Sequence, residues 1–176
     1  MCRNAADFRF VNVYPRVLLV GACPGREEER DGRPFAGQSG QNLEIMLRCL
    51  QVLHPLVFPS PQLDAYSLVN AHSLPRYPER EGYDGSTQPR RRDVLAPENR
   101  ARLIARLQRV QPENIVYLGK AAQFAHEVFE AYMPDISAYR TGHPSTQAWN
   151  TPRQYRGMPR EEKIRCWAED QFAAVE

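Results

Sequence analysis

Two rhythms of apolar residues run along this chain. Short unbroken apolar runs bounded by Gly or polar residues read as strands buried on both faces, and stripes spaced by three and four read as helices. Arg16–Val20 is the first such run and ends at Gly21. A polar, glycine-punctuated loop from Ala22 to Gly37 follows. A helix is predicted from Ser39, with Leu43, Met46, Leu47, Leu50 and Leu53 on one face, stopped by Pro55, Pro59 and Pro61. Ala65–Asn70 reads as a second strand, Asn114–Leu118 as a third closed by Gly119, and Ile136–Arg140 as a fourth running into Thr141–Ser145. Pro97 suits a first helical turn, continued by Leu103, Ile104, Leu107 and Val110. Ala121–Tyr132 and Glu161–Ala174 complete the helices, the last with Ile164, Trp167, Ala168 and Phe172 on one side. Residues 71–96 have no apolar periodicity. They read as a long functional loop, because structureless loops of that length are otherwise uncommon in compact domains.

Strands alternating with helices predict an α/β fold, a three-layer αβα sandwich around a central, mainly parallel four-stranded sheet. Ligands in such folds bind at the carboxyl ends of strands. Here those ends carry Gly21–Gly25, Asn70, Gly119 and His143.

Composition narrows the class. The 176 residues predict one domain, residues 1–176, and the 42% hydrophobic and 25% charged fractions exclude a disordered, collagenous or coiled-coil chain. No apolar run approaches ~18 residues, and no basic segment leads into an apolar one. The expectation is therefore a cytoplasmic chain with no membrane span and no signal peptide. Cys2, Cys23, Cys49 and Cys166 are too dispersed for a zinc or cluster motif and read as free thiols. Net charge is only +2, but 21 of the 23 basic residues are Arg. Arg forks suit phosphate oxygens, although a GC-rich genome yields the same bias.

The segment Gly21-Ala-Cys-Pro-Gly25, with Glu28-Glu29, Gly32, Pro34-Phe35 and a small-residue helix start at Ser39, resembles the first motif of the uracil-DNA glycosylase superfamily, most of all its iron–sulfur branch. Leu68-Val-Asn70 resembles that family's strand ending in a base-reading Asn. Residues 112–121 resemble its Pro-x-x-Ile-Val-x-Leu-Gly segment, and Thr141-Gly-His-Pro-Ser145 its His-Pro-Ser motif. The similarity covers about residues 16–146 in matching order.

The resemblance implies a glycosylase that flips a base out of DNA, since a base inside a duplex cannot be reached. Gly21, Ala22, Pro24 and Gly25 would line the base site, Phe35 would stack on the base and Asn70 would read its edge. His143 would stabilise negative charge on the departing base. Ser39 and Ser145 would hold flanking phosphates. Gln147 or Trp149 would fill the gap in the duplex, and Arg153, Arg90 and Arg91 would add contacts to DNA. No Lys falls on a motif position (Lys120 is nearest), so a monofunctional hydrolysis leaving an abasic site is expected, with DNA as partner and the protein acting as a monomer. No cofactor, metal or iron–sulfur cluster is expected, because the cluster cysteines are absent.

Departures from the pattern bear on substrate. Ala22 stands where the iron–sulfur branch has Glu, and Cys23 where other branches place Asp or Asn to orient water. Glu28, Glu29 or a backbone carbonyl remain to do this, and Cys23 itself is a candidate nucleophile if its surroundings are electropositive. Gly25 stands where some branches place a Tyr that blocks substituents on pyrimidine C5. Two substrate classes stay open: uracil, as in base-excision repair, and C5-modified cytosines such as glucosylated hydroxymethylcytosine in phage DNA, as in antiviral defence. A non-catalytic DNA- or base-binding module and a nucleotide hydrolase are the alternatives outside the family's chemistry.

Overall fold

In the computed structural model, residues 6–145, 149–150 and 152–172 are described. The sheet has five strands, β1 (Phe8–Arg9), β2 (Val17–Gly21), β3 (Ser67–Asn70), β4 (Asn114–Leu118) and β5 (Ser137–Thr141), in the order β1-β3-β2-β4-β5. β2 to β5 are the predicted parallel strands, and β1 adds an antiparallel edge on β3, with Phe8 opposite Val69. β1 escapes prediction because two residues are too few to show a period.

Alternation along the central strands explains their unbroken apolar character. Leu19 of β2 and Val116 of β4 face one layer, formed by α2 (Gln38–Leu53) and the closing helix α7 (Arg160–Phe172). Leu18, Val20, Ile115 and Tyr117 face the other, formed by α4 (Pro97–Val110) and α6 (His126–Tyr132). The result is the expected αβα sandwich.

Three short helices fall where the pattern reads loop or continuous helix. α1 (Arg26–Asp31) lies in the first polar loop, buries no residue and carries no apolar stripe. It is held at its ends, where Glu28 Oε2 accepts from Gly25 N–H at 3.0 Å and left-handed Gly32 closes it. α3 (Arg91–Val94) interrupts the long second loop. The helix predicted over Ala121–Tyr132 breaks around Phe124–Ala125 into α5 (Lys120–Gln123) and α6.

The chain leaves β2 for β3 on one side and returns to β4 on the other. The carboxyl ends of β2 and β4 thus flank a reversal of strand order, where open α/β sheets form a crevice. No helix among the described residues is long and apolar enough to cross a membrane.

Candidate functional site

The crevice holds a cavity of about 260 Å³, walled among others by Ala22, Cys23, Pro24, Gly25, Phe35, Asn70 and His143. The ends of β2, β3 and β5 meet at it, while Gly119, at the end of β4, lines a neighbouring cavity.

The inner wall is set by close contact. Gly21 pairs with Asn70 across the β2–β3 ladder, and a Cβ on Gly21 would fall on Asn70 Oδ1 and within 2.9 Å of the Phe35 ring. Only Gly lets those two groups approach. Phe35 itself is 6% exposed and left-handed, with φ of 55°. Such a backbone is uncommon for a bulky residue and persists only where its surroundings hold it. Asn70 is 3% exposed, and its main chain is fixed by its N–H donating to Asp7 O at 2.8 Å and its carbonyl accepting from Arg102 at 2.8 Å. The amide is left to face the cavity with both donor and acceptor capacity.

His143 follows β5 on a segment tied down from three sides. Asn42 Nδ2 donates to Pro144 O at 3.2 Å, Gly142 N–H donates to Gln171 Oε1 at 2.9 Å, and Ser145 N–H donates to His143 O at 2.7 Å. The left-handed Gly119, φ 96°, lets the β4–α5 turn approach, since a Cβ there would lie 2.9 Å from His143 Cβ. Burial pushes the imidazole below its usual range, so it is neutral near pH 7 and donates one N–H. Asn42 is invisible as a functional residue except that it is polar on the apolar face of α2. It is fully buried, and its Oδ1 accepts from Arg160 Nε at 3.2 Å.

The outer wall comes from the second loop. Its first part zips along the first motif: Ala71 and His72 N–H donate to Gly21 and Ala22 carbonyls and Arg76 N–H to Pro24, each at 2.9 Å. Arg76, Thr87 and Gln88 then close the cavity. No periodicity in the sequence marks Thr87 or Gln88.

Among the candidates for orienting water, Glu28 lines the cavity and Glu29 does not. Glu29 accepts from Tyr77 Oη at 2.6 Å and Arg80 Nε at 3.3 Å, which pins the second loop to α1. Burial raises the Glu28 carboxyl above the usual range, against its backbone hydrogen bonds. The surroundings of Cys23 do not supply the electropositive setting that a nucleophilic thiolate needs. Burial pushes its thiol up to about 12 despite Arg76, and it donates to Thr87 O at 3.5 Å. The thiol is a neutral wall group.

Other expectations fare unevenly. Ser39 lines the cavity in the first turn of α2, which Gly37 caps, while Ser145, Arg90 and Arg91 line a neighbouring cavity instead. Arg91 is already engaged by Glu127, with Nε 2.8 Å from Oε1. Trp149 needs correction. It is 2% exposed and packs edge-on against Trp167 at 5.8 Å, because its indole completes the core under α7 rather than projecting toward a duplex. Arg153 is exposed on a 3₁₀ turn (Arg153–Tyr155) and lines neither cavity. Gln147 lies outside the described residues.

Among the described residues the cysteines form no cluster site. Cys49 lies on α2 and Cys166 on α7, Cys23 is in the cavity wall, and Cys2 lies outside the described residues. No group of three metal-ligating side chains occurs among the described residues.

Comparison with known proteins places the chain in a family. The sequence matches the family model of the Uracil DNA glycosylase superfamily over residues 8–169. It is 27% identical over 139 residues to a Type-4 uracil-DNA glycosylase of Archaeoglobus fulgidus, covering 78% of this chain and 61% of that protein. It is 46% identical over 37 residues to a Type-4 uracil-DNA glycosylase of Thermotoga maritima, covering 21% of this chain and 19% of that protein. The chain thus spans about three fifths of the first relative's length, and less of the second's.

Proposed function

We propose that this chain, which belongs to the Uracil DNA glycosylase superfamily, is a monofunctional DNA glycosylase that releases a flipped pyrimidine and leaves an abasic site. The convergence of Phe35, Asn70 and His143 on one cavity carries this reading. The reading takes the chain as a single-domain monomer acting on cytoplasmic DNA.

Phe35 stacks on the base, and Asn70 pairs with its edge. Cleavage of the bond between base and sugar sends the electron pair to the base and leaves a cationic sugar. Neutral His143 donates to the base oxygen where the negative charge collects. That interaction strengthens in the transition state, which is what accelerates the step. Water adds to the sugar carbon and loses its proton to Glu28. The flanking phosphates lie at Ser39 and Ser145, with Arg90 beside them.

Gly25 favours the second substrate class alongside uracil. A Cβ there would meet only the flexible end of Glu28, at 2.9 Å, so the wall beside the base is open toward Arg76, Thr87 and Gln88. These polar groups suit a hydroxylated substituent on C5, such as the sugar of glucosylated hydroxymethylcytosine, and removal of such bases would act against phage DNA.

The test is incubation with uracil-containing DNA and with DNA carrying glucosylated hydroxymethylcytosine, with the released base identified by mass spectrometry. Release of a base from one or both is expected. His143→Ala lowers single-turnover release about 10²–10³-fold. No release from either DNA would leave the non-catalytic binding module as the better account, and release unchanged in His143→Ala would remove His143 from the catalytic role.

A further inference from the structure

A second cavity, of about 700 Å³, adjoins the first and shares Gln88 and His143 with it. Its apolar lining is Leu118, Ala121, Pro89 and half-buried Phe124, which sits at the break between α5 and α6. Its polar side carries Arg90, Lys120 and Ser145. Arg91 is held by Glu127, whereas neither Arg90 nor Lys120 meets a carboxylate within ion-pair distance among the described residues.

We propose that this cavity seats the base of the nucleotide next to the flipped one on the same strand, so that the protein unstacks two neighbouring nucleotides. The inference rests on the glycosylase reading of the first cavity. A strand whose flipped base lies against His143 must continue past the wall that the two cavities share. A track for phosphates alone needs charge and water, and has no use for Leu118, Ala121 and Phe124. A nucleobase presents a π-face that stacks on an aromatic side chain whatever its sequence, while basic residues follow its phosphate. Both requirements are met here, by Phe124 and by Arg90 with Lys120. The cavity is also the larger of the two, so a whole base fits where one base fits the first.

The probe is single-stranded DNA containing 2′-fluoro-2′-deoxyuridine, whose fluorine resists hydrolysis, with 2-aminopurine immediately 5′ or 3′ of it. Titration of the full chain is expected to change 2-aminopurine fluorescence saturably on one side only. Phe124→Ala is expected to weaken binding of that strand about 5- to 150-fold. Binding of a strand with a tetrahydrofuran residue in place of the neighbouring base stays unchanged. Phe124→Leu keeps the apolar bulk and loses the ring, so it covers the case in which Ala unsettles the fold, and it should weaken the same strand selectively. Equal fluorescence on both sides, no change on either, or equal weakening of the tetrahydrofuran strand by both variants would overturn the proposal. If base release from the unfluorinated strand persists in any of those cases, the glycosylase reading stands. If the strand is neither bound nor cleaved, the proposal falls for uracil-containing DNA, and the glycosylase reading falls with it only if glucosylated hydroxymethylcytosine is not released from its DNA either.

Discussion

The two walls of the base cavity are held by different forces. The inner wall is held by contact, with Gly21 admitting Asn70 and Phe35 and the left-handed Phe35 backbone locked beneath them. The outer wall, beyond the main-chain bonds that tie its first part to the first motif, is held by charge. Arg76 bridges Asp84 at 3.1 Å and Asp93 at 3.0 Å, and Glu29 gathers Tyr77 and Arg80. Packing of this kind is insensitive to ionic strength, whereas partly exposed ion pairs are screened by salt. On the proposed function, the wall that would read the ring is therefore rigid, and the wall that would face C5 is adjustable. Specificity for the ring and tolerance of its substituents can then be altered separately.

The largest expected effect comes from the group that stands between the walls. Glu28 caps α1 on the inner side and carries a carboxyl raised above its ordinary 4.5 by burial. In Glu28→Gln the amide oxygen still accepts from Gly25 N–H, so the cap survives while the base is lost. Release falls about 10²–10⁴-fold. The carboxylate is the active form, so the wild-type rate declines as pH falls through the raised pKa, at higher pH than for an ordinary Glu. That decline disappears in the variant. The linkage sign is opposite for stability. A raised pKa means the folded state disfavours the charge, so the ionised side chain lowers stability at neutral pH and Glu28→Gln is no less stable there. Single-turnover rates across the acid range check both, and an acid decline that survives the substitution would remove Glu28 from the mechanism.

Gly21→Ala attacks the contact wall directly. The new Cβ has no room, because Asn70 is fixed by the strand ladder and Phe35 by its backbone. Overpacking of this kind costs about 1–3 kcal/mol, read as a lower denaturation midpoint at unchanged slope. Displacing Asn70 and Phe35 also lowers kcat/KM by about 10²-fold, for uracil and for a C5-modified base alike. Unchanged kcat/KM would mean that the inner wall is softer than its contacts imply.

The same contrast explains what the sequence made legible. Phe35, Asn70 and His143 lie in motifs at the ends of strands whose apolar runs are unmistakable, so both the sheet and the inner site could be read from the chain. The outer wall could not. Thr87 and Gln88 reach the cavity only because Arg76, Asp84 and Asp93, scattered over the loop, find one another. α1 is set by caps rather than by an apolar stripe. Trp149 misled because an aromatic beside the His-Pro-Ser motif suits a wedge, and only packing against Trp167 reveals it as core. Asn42 did leave a signal, a polar side chain on the apolar face of α2, which is explained by its bonds to Pro144 and Arg160.

The smallest effect belongs to the charge wall, and it is the most discriminating. Arg76→Met keeps the aliphatic stem, which is only 16% exposed, and removes both ion pairs. Pairs of this kind contribute little each, so uracil release should stay within about fivefold of wild type. The loop that carries Thr87 and Gln88 loosens, so the ratio of release rates between uracil and a C5-modified base shifts. Rates measured with enzyme in saturating excess keep salt effects on DNA binding out of the comparison. Under those conditions, added salt moves the wild-type ratio in the same direction as Arg76→Met and has little further effect on the variant. In Gly21→Ala both rates fall and their ratio holds at every salt concentration. If Arg76→Met lowers both rates alike, the outer wall is as rigid as the inner one, and selection of the C5 substituent has to lie elsewhere in the cavity.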